Sequence, residues 1–178
     1  MPNKIEGPVA KAQTLVRKPV AQVFEALVDP AITFRFWFSK SSGKLETGKR
    51  IRWDWEMYGH HTDVDVKAIE LNKRILIEWN GPENPSTVEW TFEDNGDDRT
   101  FVVVKNWGFN GDDDKVVSQA IDSMGGFTLV LAGLKVFLEH GVEPNFVLDH
   151  APDALVEGWS SRRAVGSGGL EGVMCARR

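Results

Sequence analysis

The 178-residue sequence predicts an α+β domain: a strongly curved antiparallel sheet of about seven strands, two short helices after the first strand, and one long C-terminal helix packed in the concave face. Two observations carry that prediction. Apolar and charged residues alternate with period two in successive runs between Ile51 and Trp107, each run separated from the next by a turn-length segment. Runs at hairpin spacing pair antiparallel, because parallel neighbours need long crossover connections. A helical stripe then runs from Val117 to Leu138 at spacings of three or four.

Each element has its own signature. Lys11 to Arg17 alternate loosely and form the first strand. After Pro19, Val20, Val23, Phe24 and Leu27 fall at i, i+3, i+4 and i+7, and Asp29-Pro30 stops that helix. The segment AITFRFWFSK reads as a second short helix with Phe34, Trp37 and Phe38 on one face, or as a strand through Phe34, Phe36 and Phe38. A short strand near Lys44 precedes the alternating runs. In the first of these Ile51, Trp53, Trp55 and Met57 oppose Arg52, Asp54 and Glu56. Gly59-His60-His61 is the expected turn. Val64 and Val66 share a phase that Ile69 and Leu71 break, so a bulge is expected near Ala68. The rows Ile75, Ile77, Trp79 and Val88, Trp90, Phe92 follow, with turns at Asn72-Lys73, NGPENP and Asn95-Gly96. The last run, TFVVVKNW, is apolar on both phases, and only Lys105 hints that Val102 and Val104 face inward.

The long helix begins at the Asp112-Asp113-Asp114 run, where negative charge suits the helix dipole, and ends at His140-Gly141. Its expected buried stripe is Val117, Ile121, Met124, Phe127, Leu131, Leu134 and Leu138. Gly125-Gly126 interrupts its middle at a cost of about 1 kcal/mol per Gly. Such a cost is tolerated where a backbone passes close to something or where adjacent space stays empty. The organisation is therefore one domain over residues 1–145, followed by a tail over 146–178 that is partly helical or disordered, with a short helix expected between Asp149 and Val165.

Composition excludes several function classes. A net charge of −5 with no basic stripe disfavours a nucleic-acid partner. No run approaches the roughly 18 continuous apolar residues of a membrane span, and the N-terminal MPNKIEGPVAKAQ carries no apolar signal region. Cys175 is the single cysteine and has no internal disulfide partner, so a reducing cytoplasm is the expected location. Seven Trp and ten Phe stand against one Tyr, and six of the Trp fall between Trp37 and Trp107. Large rigid rings suit both a filled core and the walls of a cavity, and the residues alone leave both readings open.

Chemistry-bearing residues are few. Glu78 and Glu89 share a phase opposite to the Trp rows, as do Asp54, Asp63 and Asp65, so they are expected outside, paired with Arg50, Arg52, Lys67 and Arg74. His60, His61 and Asp63 form the one metal-like cluster, yet adjacent side chains on a strand diverge and no third strong ligand stands at regular spacing. No nucleophile elbow or phosphate-binding Gly loop is present in the sequence, and no cofactor or metal is implied.

The stretches VRKPVAQVFEALVDP, VKAIELNKRILIEW, TVEWTFEDNGDDRTFVVVKNWGF and GGFTLVLAGLKVFLEHG resemble the helix-grip, START-like SRPBCC superfamily, in its heat-shock-chaperone ATPase activator-like branch. The resemblance covers Ala10 to Gly141, and Gly-Gly-Phe stands where relatives often carry Gly-Trp. It implies the helix-grip fold and an apolar ligand held between sheet and long helix. On that basis the expected ligand-binding residues are Trp37, Trp53, Trp55, Trp79, Trp90, Phe127 and Leu131, with His61 or Asn106 as polar contacts, and the expected partner is a small apolar or aromatic molecule. A cyclase- or dehydratase-type enzyme is the first alternative. Protein-protein contact, with a chaperone ATPase or in a homodimer, is the second.

Overall fold

The computed structural model describes residues 7–81 and 83–159. In chain order the elements are β1 Ala10–Val16, α1 Val20–Val28, α2 Pro30–Thr33, β2 Lys40–Ser41, β3 Arg50–Trp55, β4 His60–Glu70, β5 Arg74–Trp79, β6 Ser86–Asp94, β7 Thr100–Trp107, α3 Asp113–His140 and α4 Phe146–Asp149. The seven strands form one antiparallel sheet in the order β1-β7-β6-β5-β4-β3-β2. Strands β2 to β7 are thus a continuous meander, and β1 closes it by pairing with β7 from Ala10↔Asn106 to Val16↔Thr100. The expected α+β architecture, with a long helix against a curved sheet, is the one observed.

Period-two alternation sorts the side chains as the sequence predicts. Ile51, Trp53, Val64, Val66, Ile75, Ile77, Val88, Trp90, Val102 and Val104 are buried on one face. The register of β4 against β5 shifts between Val66 and Ala68, so the bulge brings Ile69 opposite Ile75. On the other face Arg50 meets Asp65 at 2.7 Å, Lys67 meets Glu78 at 2.7 Å and Arg74 meets Glu89 at 2.6 Å. The small residues Ala10 and Ala12 of β1 are buried where α3 crosses the sheet, and that element pair is in extensive contact. Lys135 locks the crossing by donating to the Leu15 carbonyl at 2.7 Å and to Glu139 at 2.6 Å.

Local chemistry sets the helix ends. Asp112 accepts a hydrogen bond from the Lys115 N–H at 2.9 Å, and Gly141 closes the helix at φ 68°. Asp29 caps α2 by accepting from the Ala31 N–H at 2.9 Å.

Four expectations need correction. The segment after α2 is neither a full helix nor a strand: α2 ends at Thr33, and Phe36, Trp37 and Phe38 turn inward while Phe34 stays exposed. His60 and His61 do not form a turn. The chain reverses through a 3-10 turn at Glu56–Tyr58 and left-handed Gly59, so both His belong to β4. The short strand expected near Lys44 lies earlier, at Lys40–Ser41, whereas the β6–β7 hairpin does turn after Asn95, through left-handed Gly96, Asp97 and Asp98. Finally, the apolar stripe of α3 is buried only in part. Phe127, Leu131 and Leu134 are buried, but Val117, Ile121 and Met124 are 50%, 58% and 46% exposed, because in the first turns the inward row is Gln119, Ala120 and Ser123, and the apolar three stand to one side of it.

By length and composition α3 is long and apolar enough to cross a membrane, contrary to the expectation from continuous apolar runs. A core helix passes the same test, and here Phe127, Val130, Leu131 and Leu134 close its C-terminal half against the sheet.

Beyond α3 the chain continues to pack on the body. Tyr58 Oη lies 2.6 Å from the Val147 carbonyl and 2.9 Å from that of Leu148, and accepts from the Ala151 N–H. Val156 N–H donates to the Met57 carbonyl at 2.9 Å, and Leu155 and Trp159 lie against the core. The helical segments here are α4, which ends at Asp149 where the expected helix begins, and a 3-10 turn at Pro152–Ala154 inside its span; residues 160–165 of that span lie outside the described residues. GSGGLEG and Cys175 lie outside the described residues.

The three glycines of α3 have different surroundings. A Cβ on Gly133 would stand 3.2 Å from both Phe36 Cβ and the Phe36 carbonyl, whereas at Gly125 and Gly126 it would meet nothing within 4 Å. Gly126→Ala should therefore raise stability by up to about 1 kcal/mol through helix propensity. Gly133→Ala should lower it, because buried Phe36 has no room to retreat; urea denaturation of the two variants gives both signs. In the same assay Trp53→Ala should cost about 3–5 kcal/mol, and Ile121→Ser should stay within about 0.5 kcal/mol of the parent.

Candidate functional site

An aromatic cluster fills one end of the space between sheet and helix, and its centre is Trp37. The Trp37 ring lies 4.9 Å from Trp53, 5.9 Å from Trp90 and 6.0 Å from Phe127, centroid to centroid. Phe38 stacks on Trp53 at 4.9 Å with the planes 24° apart. Tilted and edge-on contacts of this kind suit the ring quadrupoles. Trp53 and Trp90 lie behind Trp37 at 1% exposure each, and Leu131 at 2% is equally interior. This end is solid core.

The other end is a cavity of about 480 Å³, within the roughly 300–1,000 Å³ range of small-molecule sites. Trp37 forms its floor, and Trp55, Trp79, Phe127 and Val130 line its sides. Trp79 stacks on Phe127 at 5.6 Å and 26°. Gly126 of α3 faces the cavity with open space where a side chain would stand. The helix interruption thus leaves empty space; the close approach is at Gly133.

A polar strip crosses one wall. Asn106, 1% exposed, donates to Ser86 Oγ at 3.1 Å and to the Thr87 carbonyl at 2.8 Å, and its Oδ1 accepts from Ser123 Oγ at 2.9 Å. Ser86 Oγ also accepts from Trp79 Nε1 at 2.9 Å and from Asn80 Nδ2 at 3.2 Å. Gln119 uses its Nε2 on the Asn110 and Lys115 carbonyls, at 3.0 and 3.2 Å. Exposed His60, His150 and Asp122 stand at the rim, with the His60 ring 5.8 Å from Trp55.

Of the nine ligand-site residues expected from the sequence, the cavity brings together Trp37, Trp55, Trp79, Asn106 and Phe127. Trp53 and Trp90, packed against Trp37, are core instead, and so is Leu131, buried on α3. His61 sits opposite Asp54 on the outer face, where strand alternation puts it, and its neighbours His60 and Thr62 line the cavity. The polar residues of α3 were missed, although their spacing carried a signal. Gln119, Ser123 and Phe127 stand four apart, as do Asp122, Gly126 and Val130, and residues four apart share a helix face. Tyr58, Val147 and His150 had no such signal, since long-range folding brings them there.

The carboxylates whose ionisation is strongly biased lie elsewhere. A hydrogen bond from Lys44, at 2.6 Å, holds Asp29 below the usual carboxylate range, and the Arg50 guanidinium does the same for Asp65. Both belong to the outside of the domain. Among the described residues no group of three His, Cys, Asp or Glu could hold a metal ion, and no hydrogen bond joins His60, His150 and Asp122 to one another.

Residues 17–139 match the family described as Activator of Hsp90 ATPase homolog 1-like protein. The protein SSP2350 from Staphylococcus saprophyticus is similar at 32% identity, over 76% of this chain and 94% of that one, with a TM-score of 0.65. DynU16, a protein in the dynemicin biosynthetic locus, shares the fold at 24% identity, over 77% of this chain and 49% of its own, with a TM-score of 0.68. The Aha1 dimer from Colwellia psychrerythraea shares it at 19% identity, over 76% and 98%, with a TM-score of 0.66. None of the curated proteins matches this chain. With more than half of its length matched, in the strand and helix order the family resemblance implies, this chain belongs to the Activator of Hsp90 ATPase homolog 1-like family.

Proposed function

We propose that this protein binds a small hydrophobic or aromatic molecule in the cavity between the sheet and α3. The observation that carries the reading is a space of about 480 Å³ walled by Trp37, Trp55, Trp79 and Phe127, with its buried polar groups already satisfied. Apolar walls with a few convergent polar groups are the usual make-up of a ligand site. A glycine at Gly126, where a larger residue would meet open space, agrees with it. The reading takes the protein to work in the cytoplasm, on the cysteine usage noted above.

A cyclase- or dehydratase-type enzyme would use the same cavity, with His60, His150 or Asp122 as its titratable groups. Binding without turnover is the better supported of the two. A general acid or base needs a partner to fix its orientation or tautomer, and none of these three has a hydrogen-bond partner among the described residues. Contact with another protein, whether a second copy or a chaperone, draws on a different observation. Val117, Ile121 and Met124 form an exposed apolar stripe on the first half of α3, and one similar structure is that of an Aha1 dimer. Ile121→Asp should then reduce a concentration-dependent rise in sedimentation coefficient; a parent chain that stays monomeric at every concentration removes the dimer reading.

For the binding reading, Trp emission should be quenched saturably at micromolar concentration by some member of a panel of flat aromatic and long-chain apolar compounds. Gly126→Leu, which places a side chain in the cavity, should abolish that quenching while the protein stays folded. Flat titrations across the panel would sink the proposal.

A further inference from the structure

We infer that the cavity selects an amine: a molecule with an apolar, ring-bearing body and a protonated nitrogen. The inference rests on the ligand-binding reading above and deepens it by naming the charge of the ligand.

Hydrogen-bond accounting carries the argument. Most side-chain donors that face the cavity are spent inside the protein. Trp79 Nε1 donates to Ser86, both Nδ2 hydrogens of Asn106 go to Ser86 and the Thr87 carbonyl, and the Ser123 hydroxyl goes to Asn106. The Gln119 Nε2 hydrogens and the Tyr58 hydroxyl are committed to backbone carbonyls. The acceptors are left over. Ser123 Oγ donates its one proton and keeps its lone pairs, Asn106 Oδ1 accepts a single bond and has room for another, and the Asp122 carboxylate takes no hydrogen bond from a described residue. A ligand that donates is therefore matched, and one that only accepts finds little beyond the rim imidazoles and the remaining Asn80 hydrogen.

Charge points the same way. Among the described residues lining the cavity, Asp122 is the one carboxylate and there is no Lys or Arg. A ligand carboxylate would leave water with no fixed cation to meet it, which is costly. An ammonium at the rim would meet Asp122 while the ring body of the same ligand lies among Trp37, Trp55, Trp79 and Phe127, and aromatic rings near a cation are themselves attractive. Asp122 and Ser123 are consecutive on α3 and both reach the lining, so a nitrogen there would donate to an anion and to a hydroxyl oxygen.

The test is isothermal titration calorimetry on the full chain with naphthylmethylamine, naphthylmethanol and naphthoate, one bicyclic body carrying positive, zero and negative charge. At about pH 8, above the titration range of an unperturbed imidazole, the amine should bind at least about tenfold tighter than the naphthoate. Asp122→Asn should weaken the amine several-fold and leave the alcohol unchanged. Asp113→Asn removes the same charge from the start of α3, away from the cavity lining, and should change neither. Equal or tighter binding of naphthoate, or an amine affinity unmoved by Asp122→Asn, overturns the amine assignment and leaves ligand binding standing. If none of the three binds, the binding reading falls with it.

Discussion

The position of the Trp37 ring decides what the rest of this domain is able to do. It stands between sheet and helix within 6.5 Å, centroid to centroid, of Phe38, Trp53, Trp55, Trp79, Trp90 and Phe127. A side chain of that size closes the space on one side into solid core and forms the floor of a cavity on the other. The two readings of the tryptophans, filler and walls, both hold at different ends of one cluster. Trp37 reaches this place because α2 is a single turn, capped by Asp29 and tied through Thr33 Oγ1 to the Ala26 carbonyl at 2.7 Å, so that the chain turns inward directly after it.

The cavity survives because both of its sides withhold volume. On the helix side, Gly126 places no side chain where the helix pattern would otherwise put one, at a cost of about 1 kcal/mol in propensity. Gly133, about two turns later, serves the opposite end, admitting Phe36 to contact distance. On the sheet side, the strip through Asn106 and Ser86 is polar, and its groups are paired with one another, so an empty cavity carries little desolvation penalty there. Helix packing and cavity formation are thus separate tasks of one helix, divided along its length. In the first turns of α3 the row that faces the sheet is the polar one, Gln119 and Ser123, which leaves Val117, Ile121 and Met124 in water.

Electrostatics reinforces the separation. Arg50, Lys67 and Arg74 answer the acidic strand residues on the convex side, so formal charge on the sheet stays outside the cavity. The exception is Asp122, which reaches the lining from the helix.

Much of this was legible in the sequence, and for local reasons. Alternation with period two assigned the inner face of the strands from Ile51 to Phe92, and the phase break at Ala68 announced its bulge; β7, apolar on both phases, was settled only by its pairing, which buries Val102 and Val104. The acidic run at Asp112 and the glycine at Gly141 bounded the long helix, because caps depend on backbone groups within a few residues. What only tertiary structure decided were matters of which surface meets which. Pairing of β1 with β7, the inward turn of Trp37, the fit of Tyr58 against Val147 and Leu148, and the exposure of the first half of α3 depend on contacts across long stretches of chain. An apolar residue at helical spacing states that a face wants burial; which face of the helix meets the sheet is set by contacts from distant strands, such as Asn106 with Ser123. Trp53 and Trp55 share one strand face and one alternation, and only the ring of Trp37, packed over Trp53 and beside Trp55, makes one core and the other wall.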